Sequence, residues 1–321
     1  MIHSKLFETI HAVPVEDWNQ FVDTQSVSLE IAHLKSVELS GINQIKPYYF
    51  IAYQDETPIG IAYGMILDVD FAKLSNSYPP EILETIRFWK NNFMKLKILE
   101  MGHIASLGTT IQFNKDYSID FLELLHLEIE KIAMKEKIDV SLIRDISKEQ
   151  ITYFQTLKKW GFCCSLGYPI ARMEMNGDPI NGYFGALKSK KRNQLLHRRS
   201  KIQKPEISVE IIEDYGIYAD RLTELWTEVA QNNNGYEHER LTPSFFIKMA
   251  EELKGRSHIV AIKREEEIIA FGLNLIGDSE YFGMAEGLDY QYRDQYDLYF
   301  NNIFSSFEVA CSLGKKIFNM G

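Results

Sequence analysis

The sequence predicts an α/β (α+β) protein built as two tandem mixed-sheet domains, and three observations carry that prediction. Its 321 residues are long for one core and comfortable for two, since domains usually hold about 100–200 residues. Two stretches read as matching apolar hairpins. The same succession of strand, helix and strand follows each of them.

The first hairpin runs from Tyr48 to Tyr53, turns at Gln54 to Thr57, and returns from Pro58 through Leu67. The second runs from His258 to Lys263, turns around Arg264 to Glu266, and returns from Glu267 through Ile276. Aromatic and β-branched enrichment around a charged turn is the strand–turn–strand signal. Ile51-Ala52 aligns with Val260-Ala261, and Ile61-Ala62-Tyr63-Gly64 with Ile269-Ala270-Phe271-Gly272. Downstream of the first hairpin come an insert (Phe71 to Lys97), a strand (Ile98 to Leu107), a helix from about Ile119 and a strand (Ile138 to Ile143). That helix carries Leu125, Ile129, Ile132 and Ala133 at helical spacing. Downstream of the second come a strand (Tyr281 to Leu288), a helix with Phe300, Phe304, Phe307 and Cys311 on one face, and a strand (Lys316 to Met320).

The first copy continues with a helix (Lys148 to Trp160) and strands from Cys163 to Met175, whereas the second stops at Gly321. A bare apolar edge is an aggregation hazard, so the second domain is expected to be truncated at its C-terminus. The turn formers 176–182 set the boundary. The domains are therefore 1–177 and 188–321, with 178–187 as linker and a basic helix opening the second domain.

Composition narrows the function classes. Three cysteines, two of them adjacent (Cys163, Cys164, Cys311), argue against a disulfide framework, and no Cys/His spacing matches a zinc site. No metal is assigned. The N-terminus lacks a signal-peptide apolar region, and no run approaches the ~18 apolar residues of a membrane helix. The expectation is a cytoplasmic protein that is not integral to a membrane. Residues 188–204 hold eight Lys/Arg and no acid, in a chain whose net charge is −10. A basic island on an acidic protein points to a local anionic ligand and away from general nucleic-acid binding.

The order helix, hairpin, strand, helix, strand resembles the GNAT acyltransferase superfamily, and two such units in tandem resemble its Fem-type ligases. More specifically, Tyr183-Phe184-Gly185-Ala186-Leu187-Lys188-Ser189-Lys190-Lys191-Arg192-Asn193 is similar to the entry of FemAB-like and acetyltransferase-6 N-acyltransferases. Trp226, Leu241-Thr242-Pro243-Ser244-Phe245-Phe246 and the ending Gly314-Lys315-Lys316-Ile317-Phe318-Asn319-Met320-Gly321 fit the same pattern. So do Val15-Glu16-Asp17-Trp18-Asn19 and Leu39-Ser40-Gly41 near the start. The resemblance implies transfer of an acyl or aminoacyl group from a thioester or tRNA donor to an amine. The glycine loop with which many GNAT enzymes bind coenzyme A is missing. Leu107-Gly108-Thr109-Thr110 and Tyr292-Arg293-Asp294-Gln295 come nearest to it. Acyl-CoA, an acyl carrier protein and an aminoacyl-tRNA therefore all stand as donors. The acceptor is a small-molecule or lipid amine.

Amide formation requires deprotonation of the amine, a donor for the oxyanion and protonation of the leaving group. In a GNAT-like unit these meet around the fourth strand and the following helix. Glu286 is the candidate base: alternation places it on one face with Met284 and Phe282, where desolvation raises a carboxylate's pKa. Asp289 is the candidate holder of the amine, and Tyr299 the candidate proton donor to a leaving thiolate. Asp294 and Asp297 read as caps of the next helix. Lys188, Lys191, Arg192, Arg198 and Arg199, with Tyr296, are the candidate donor-binding set, because Arg forks suit phosphates. The competing reading is a solvated helix that balances acidic neighbours, in a non-catalytic module that binds an anionic partner. In the first domain, Glu100-Met101-Gly102-His103 occupies the corresponding strand. His103 is there either a base or a simply hydrogen-bonded strand residue.

Overall fold

A computed structural model describes residues 1–72, 79–167, 169–175, 179–232 and 239–321. The chain forms two compact units. One is Met1–Val22, Ser28–Tyr168 and Tyr236–Arg240; the other is Asp23–Val27, Pro169–Gly235 and Leu241–Gly321. Part of the expected boundary turn, 176–178, lies outside the described residues. Among the described residues no helix is long and apolar enough to cross a membrane.

The strands of the first unit are β1 (Ile2–Phe7), β2 (Lys46–Gln54), β3 (Thr57–Asp70), β4 (Lys95–Met101), β5 (Ile111–Phe113) and β6 (Val140–Ile143). Its helices are α1 (Val15–Asn19), α2 (Ile31–Ser40), α3 (Pro80–Trp89, within the predicted insert), α4 (Ser118–Glu136) and α5 (Ile151–Phe154). The sheet runs β1-β2-β3-β4-β6, with β5 also on β3; only β4 and β6 are parallel. Both faces of β2 are covered, which is why its sequence is continuously apolar. Tyr48, Phe50 and Ala52 pack with Phe121, Leu122 and Leu125 of α4, while Tyr49, Ile51 and Tyr53 pack with Trp18 and Leu34 of α1 and α2.

The second unit repeats this plan with β8 (Ile207–Ile212), β9 (Ser257–Arg264), β10 (Glu267–Ile276), β11 (Glu280–Leu288) and β12 (Ile317–Asn319). They are ordered β8-β9-β10-β11-β12, again with one parallel pair, β11 and β12. Its helices are α6 (Ser189–Ser200), α7 (Ala219–Asn232), α8 (Pro243–Glu252) and α9 (Leu298–Ser312). Thr242 caps α8 through Phe245 N–H and Pro243 follows it, a helix start legible in the sequence.

A further strand, β7 (Arg172–Glu174), pairs antiparallel with β12. The strand expected to end the first sheet therefore belongs to the second, and the edge expected to be bare is paired. The main-chain ladder extends to a bond from Ala171 N–H to the Gly321 carbonyl at 2.9 Å. A sheet edge of unsatisfied amides recruits whichever strand can reach it.

The repeat aligns more closely in three dimensions than in sequence. Asp55 and Glu265 hold the left-handed turn position, with φ of 52° and 56°. The bulged residues are Ile59 and Ile269. Ile61 thus corresponds to Phe271 and Ala62 to Gly272, a displacement of one to two residues from the sequence match.

This register shows what became of the fourth strand. In the second unit β11 stays on β10 throughout, absorbing one extra residue, Met284, between Gly283↔Asn274 and Ala285↔Leu273. In the first unit the same place is an interruption. β4 leaves β3 after Glu100↔Met65, and β5 resumes the pairing at Ile111↔Ala62. β4 and β5 together are the counterpart of β11, and the strand predicted from Ile98 to Leu107 ends at Met101.

The interruption is pinned by a buried ion pair. Arg144 Nε lies 2.9 Å from Glu100, which is 4% exposed, and the guanidinium donates to the His103 carbonyl. Arg144 crosses directly over Gly102, where a Cβ would sit 2.6 Å from Nε.

Two substitutions test these packing claims by chemical denaturation. Arg144→Met strands the Glu100 carboxylate and is expected to cost about 3 kcal/mol, most of it recovered in the double variant with Glu100→Leu. Gly287→Ala would place its Cβ 2.2 Å from the Phe271 ring and 2.9 Å from the Leu225 backbone. The expected loss is about 1–3 kcal/mol, because main chain has to move.

Candidate active site

β11 lies between two helices, and its successive residues face opposite ways. Gly287 faces α7, whose backbone at Leu225 approaches so closely that only glycine fits. Glu286 faces α9. It pairs with Gly272, and above Gly272 stand the Ser306 hydroxyl, the Asn302 amide and the Asn274 amide. The Met284 bulge reverses the expected alternation. Glu286 shares its face with Gly283 and Asn274, not with Phe282.

The face toward α9 is polar. Tyr299, Asn302 and Ser306 recur at i, i+3 and i+7, one stripe of the helix. Asn302 donates from Nδ2 to the Phe271 carbonyl at 3.0 Å. Asn274 donates to the Gly272 carbonyl at 2.7 Å. Burial pushes the Glu286 carboxyl up to about 7, against a smaller opposing effect of the Asn302 side chain. Among the described residues no cation pairs with it; Arg293 is engaged with Asp294 at 2.8 Å. Tyr299 is 56% exposed, and its hydroxyl is raised by partial burial and, to a smaller extent, by the Glu286 charge. A carboxyl poised near neutrality beside a phenol is an arrangement able to accept and return a proton.

The other predicted residues are placed differently. Asp289 closes β11 structurally: it pairs with Arg221 of α7 at 3.0 Å and accepts the Gln291 N–H at 2.9 Å. Tyr296 is 1% exposed in the core with Ile262, Ile269 and Leu288, and Lys204 lies over its ring. A ring sealed in the core is unavailable to a donor, which corrects its assignment to the donor-binding set. Asp297 stands at the N-cap position of α9 without a side-chain capping bond, and pairs instead with Lys201 at 2.7 Å.

The basic segment forms α6, with Lys188 at its N-cap position. It docks on α9 through Leu195, through an Arg199–Glu308 ion pair and through Asn301, which donates to the Arg198 carbonyl. Arg198 and Arg199 also lie over the rings of Phe300 and Phe304. Part of the positive charge therefore balances acidic neighbours. Lys188, Lys190 and Lys191 are exposed and form no ion pair among the described residues, and the Arg192 guanidinium donates to the Gly185 carbonyl at 3.5 Å. Residues 297, 300, 301, 304 and 308 of α9 face α6, whereas 299, 302 and 306 face Glu286. At 100° per residue these are opposite sides of one helix. The structure does not bring the cations and Glu286 together.

In the first unit the counterpart of Glu286 is Ile111, a core residue on β5. His103 lies in the interruption, fully buried and stacked on His33 at 4.4 Å. Burial, His33 and Arg144 hold it well below the ordinary histidine range, and its Nδ1 accepts the Ala105 N–H. It packs as a neutral ring. Among the described residues no three His, Cys, Asp or Glu side chains gather as a metal site. Leu107 to Thr110 lie in the same interruption, where the Leu107 carbonyl accepts from Ser28 and the Thr110 hydroxyl donates to the Tyr63 carbonyl.

Comparison with known proteins agrees with this architecture. The model of the FemAB-like family, described as peptidoglycan biosynthesis/recognition, matches residues 111–321. A Mycobacterium tuberculosis protein named "Putative 8-amino-7-oxononanoate synthase 2" is 29% identical over 294 residues, 90% of this chain. The chain spans 38% of that relative's length. Among solved structures, FemX aligns with a TM-score of 0.58 at 12% identity, covering 99% of this chain and 88% of its own. A tandem GNAT protein from the clavulanic acid biosynthesis pathway aligns with a TM-score of 0.54 at 8% identity, covering 100% and 89%. At these identities the two structures show the fold alone.

Proposed function

The chain belongs to the FemAB-like family, and from that membership together with the Glu286 site we propose that it is an N-acyltransferase. The single observation that carries the proposal is a carboxyl raised to about 7 on the fourth strand of the second unit, beside Tyr299. Glu286 takes a proton from the acceptor ammonium, and the freed amine attacks the acyl carbon of a thioester or ester. The C–N bond forms, the bond to sulfur or oxygen breaks, the leaving group takes a proton from Tyr299, and the second proton lost by the attacking nitrogen returns to the phenolate. The acceptor is a small-molecule or lipid amine. Acyl-CoA, an acyl carrier protein and an aminoacyl-tRNA are the donor classes that fit this chemistry.

A second reading is favoured by the exposed Lys188, Lys190 and Lys191: a module that docks an anionic partner on α6. Because α6 and Glu286 lie on opposite faces of α9, substitutions at the two places separate the readings. Glu286→Gln is expected to abolish transfer from a panel of acyl donors to pooled amines, as read by mass spectrometry. Substituting the three lysines leaves turnover with small donors intact and weakens only carrier-protein or tRNA donors. Full turnover by Glu286→Gln would sink the base assignment, and no transfer by the wild type from any donor of the panel would sink the enzymatic one.

Two pH dependences follow from the raised carboxyl. Transfer rises with pH through a midpoint of about 7, as the base ionises. Stability moves the other way. Below the ordinary value of 4.5 the group is protonated folded and unfolded alike, and burial costs nothing. Between 4.5 and about 7 the unfolded chain ionises first, and above about 7 the full penalty applies, on the order of 3 kcal/mol. Glu286→Gln is therefore expected to stabilise the protein at pH 8 and to leave it unchanged at pH 4, as measured by denaturation at both values.

A further inference from the structure

We propose that Glu286, Asn274 and Asn302 form a seat for a primary ammonium group, their side-chain oxygens accepting its N–H protons. The proposal deepens the functional reading above and rests on it, because it places the acceptor amine against the base.

The amide orientations are fixed by their partners. Asn302 Nδ2 meets the Phe271 carbonyl at 3.0 Å, and Asn274 Nδ2 meets the Gly272 carbonyl at 2.7 Å and the Ser306 hydroxyl at 3.3 Å. A backbone carbonyl only accepts, so the nitrogen of each amide must point at it. Both Oδ1 atoms are buried and accept no hydrogen bond among the described residues. A buried acceptor left unmatched costs about 1–3 kcal/mol, and few native groups are left that way without reason. Beside the Glu286 carboxyl, to which the Asn302 side chain hydrogen-bonds, these two amide oxygens are left without a donor.

The missing partner must supply N–H groups and tolerate negative charge. A thioester carbonyl or a phosphate offers only acceptors and is repelled. Water supplies two protons, while an ammonium supplies three and a compensating charge. Two glycines keep the place open. A Cβ at Gly272 would lie 2.9 Å from the Ser306 hydroxyl, 3.4 Å from Asn302 Oδ1 and 3.6 Å from Asn274 Nδ2, and one at Gly283 would lie 3.8 Å from Asn274 Oδ1. The first unit has the opposite chemistry: Ala62, Gly64 and Ile111 stand where Gly272, Asn274 and Glu286 stand in the second. It offers no acceptor side chain at any of the three.

The test uses the whole chain and a simple probe pair, n-butylammonium and n-butanol, followed by saturation-transfer NMR. Wild type is expected to bind the ammonium and to ignore the alcohol. Asn302→Ser and Asn274→Ser retain a hydroxyl donor for the backbone carbonyl, and thermal melting confirms their fold. Each is expected to weaken ammonium binding about tenfold. In turnover they raise the KM for the amine and leave the KM for the donor unchanged. Equal binding of amine and alcohol, or undiminished ammonium binding in both variants, overturns the seat and leaves a water-filled or apolar site. If Glu286→Gln keeps full turnover while the asparagine variants still lose the amine, the seat stands and the base assignment alone fails.

Discussion

The extra residue at Met284 is the constraint on which the second unit's chemistry depends. A bulge sets two residues against one, and every side chain beyond it changes face. Without it, Glu286 would lie toward α7, over the tight approach at Leu225 where only Gly287 fits. With it, the carboxyl faces the Tyr299–Asn302–Ser306 stripe of α9 and stays opposite Gly272. In the first unit the same break widened into the segment that holds His103, and the strand that returned brought Ile111. One irregularity, resolved in two ways, leaves one copy with a titratable group and the other with a filled core.

α9 does the second piece of work. One face binds α6 through Phe300, Phe304 and Glu308, and the other presents the Asn302 amide and the Ser306 hydroxyl over Gly272 of β10. The polar face is held by the Phe271 carbonyl of β10, which accepts from Asn302, so the helix cannot rotate without losing the contacts of both faces. Arg221, Tyr290 and Glu228 fix the other side: Arg221 grips Asp289, and the Glu228 carboxylate accepts the Tyr290 N–H at 2.9 Å. The position of Glu286 is thus set by two helices whose own anchors lie outside the site.

Much of this was legible in the sequence, and the reasons differ by element. The hairpins announced themselves because strands covered on both faces are apolar throughout, and α4 because Leu125, Ile129 and Ile132 recur at helical spacing. The tandem repeat followed from their order. The raised carboxyl of Glu286 was visible as an acid on a strand of small and apolar residues, although its expected face was wrong. The bulge that corrected it is a property of pairing with β10 and leaves no mark in β11 alone. The stripe at 299, 302 and 306 was written at a regular spacing, but the phenylalanines of the same helix gave the stronger pattern. The fate of the basic residues was hidden for another reason. Glu308 and Asp297, which take up Arg199 and Lys201, lie roughly 100 residues away along the chain. Tyr296 failed as a ligand-facing residue because an aromatic near a helix start reads equally well as core.

The pairing of β7 with β12 bears on how the second unit reaches its native state. Those strands are about 140 residues apart in sequence, whereas the β9–β10 hairpin closes through a two-residue turn. Closing so long a loop carries a large entropic penalty and slows any step that requires it. The hairpin can form early and serve as a template for β8 and β11. The β7–β12 ladder joins last, zipping the edge of a sheet already built. Until then the growing unit presents an unpaired strand edge, which is open to mispairing with other chains.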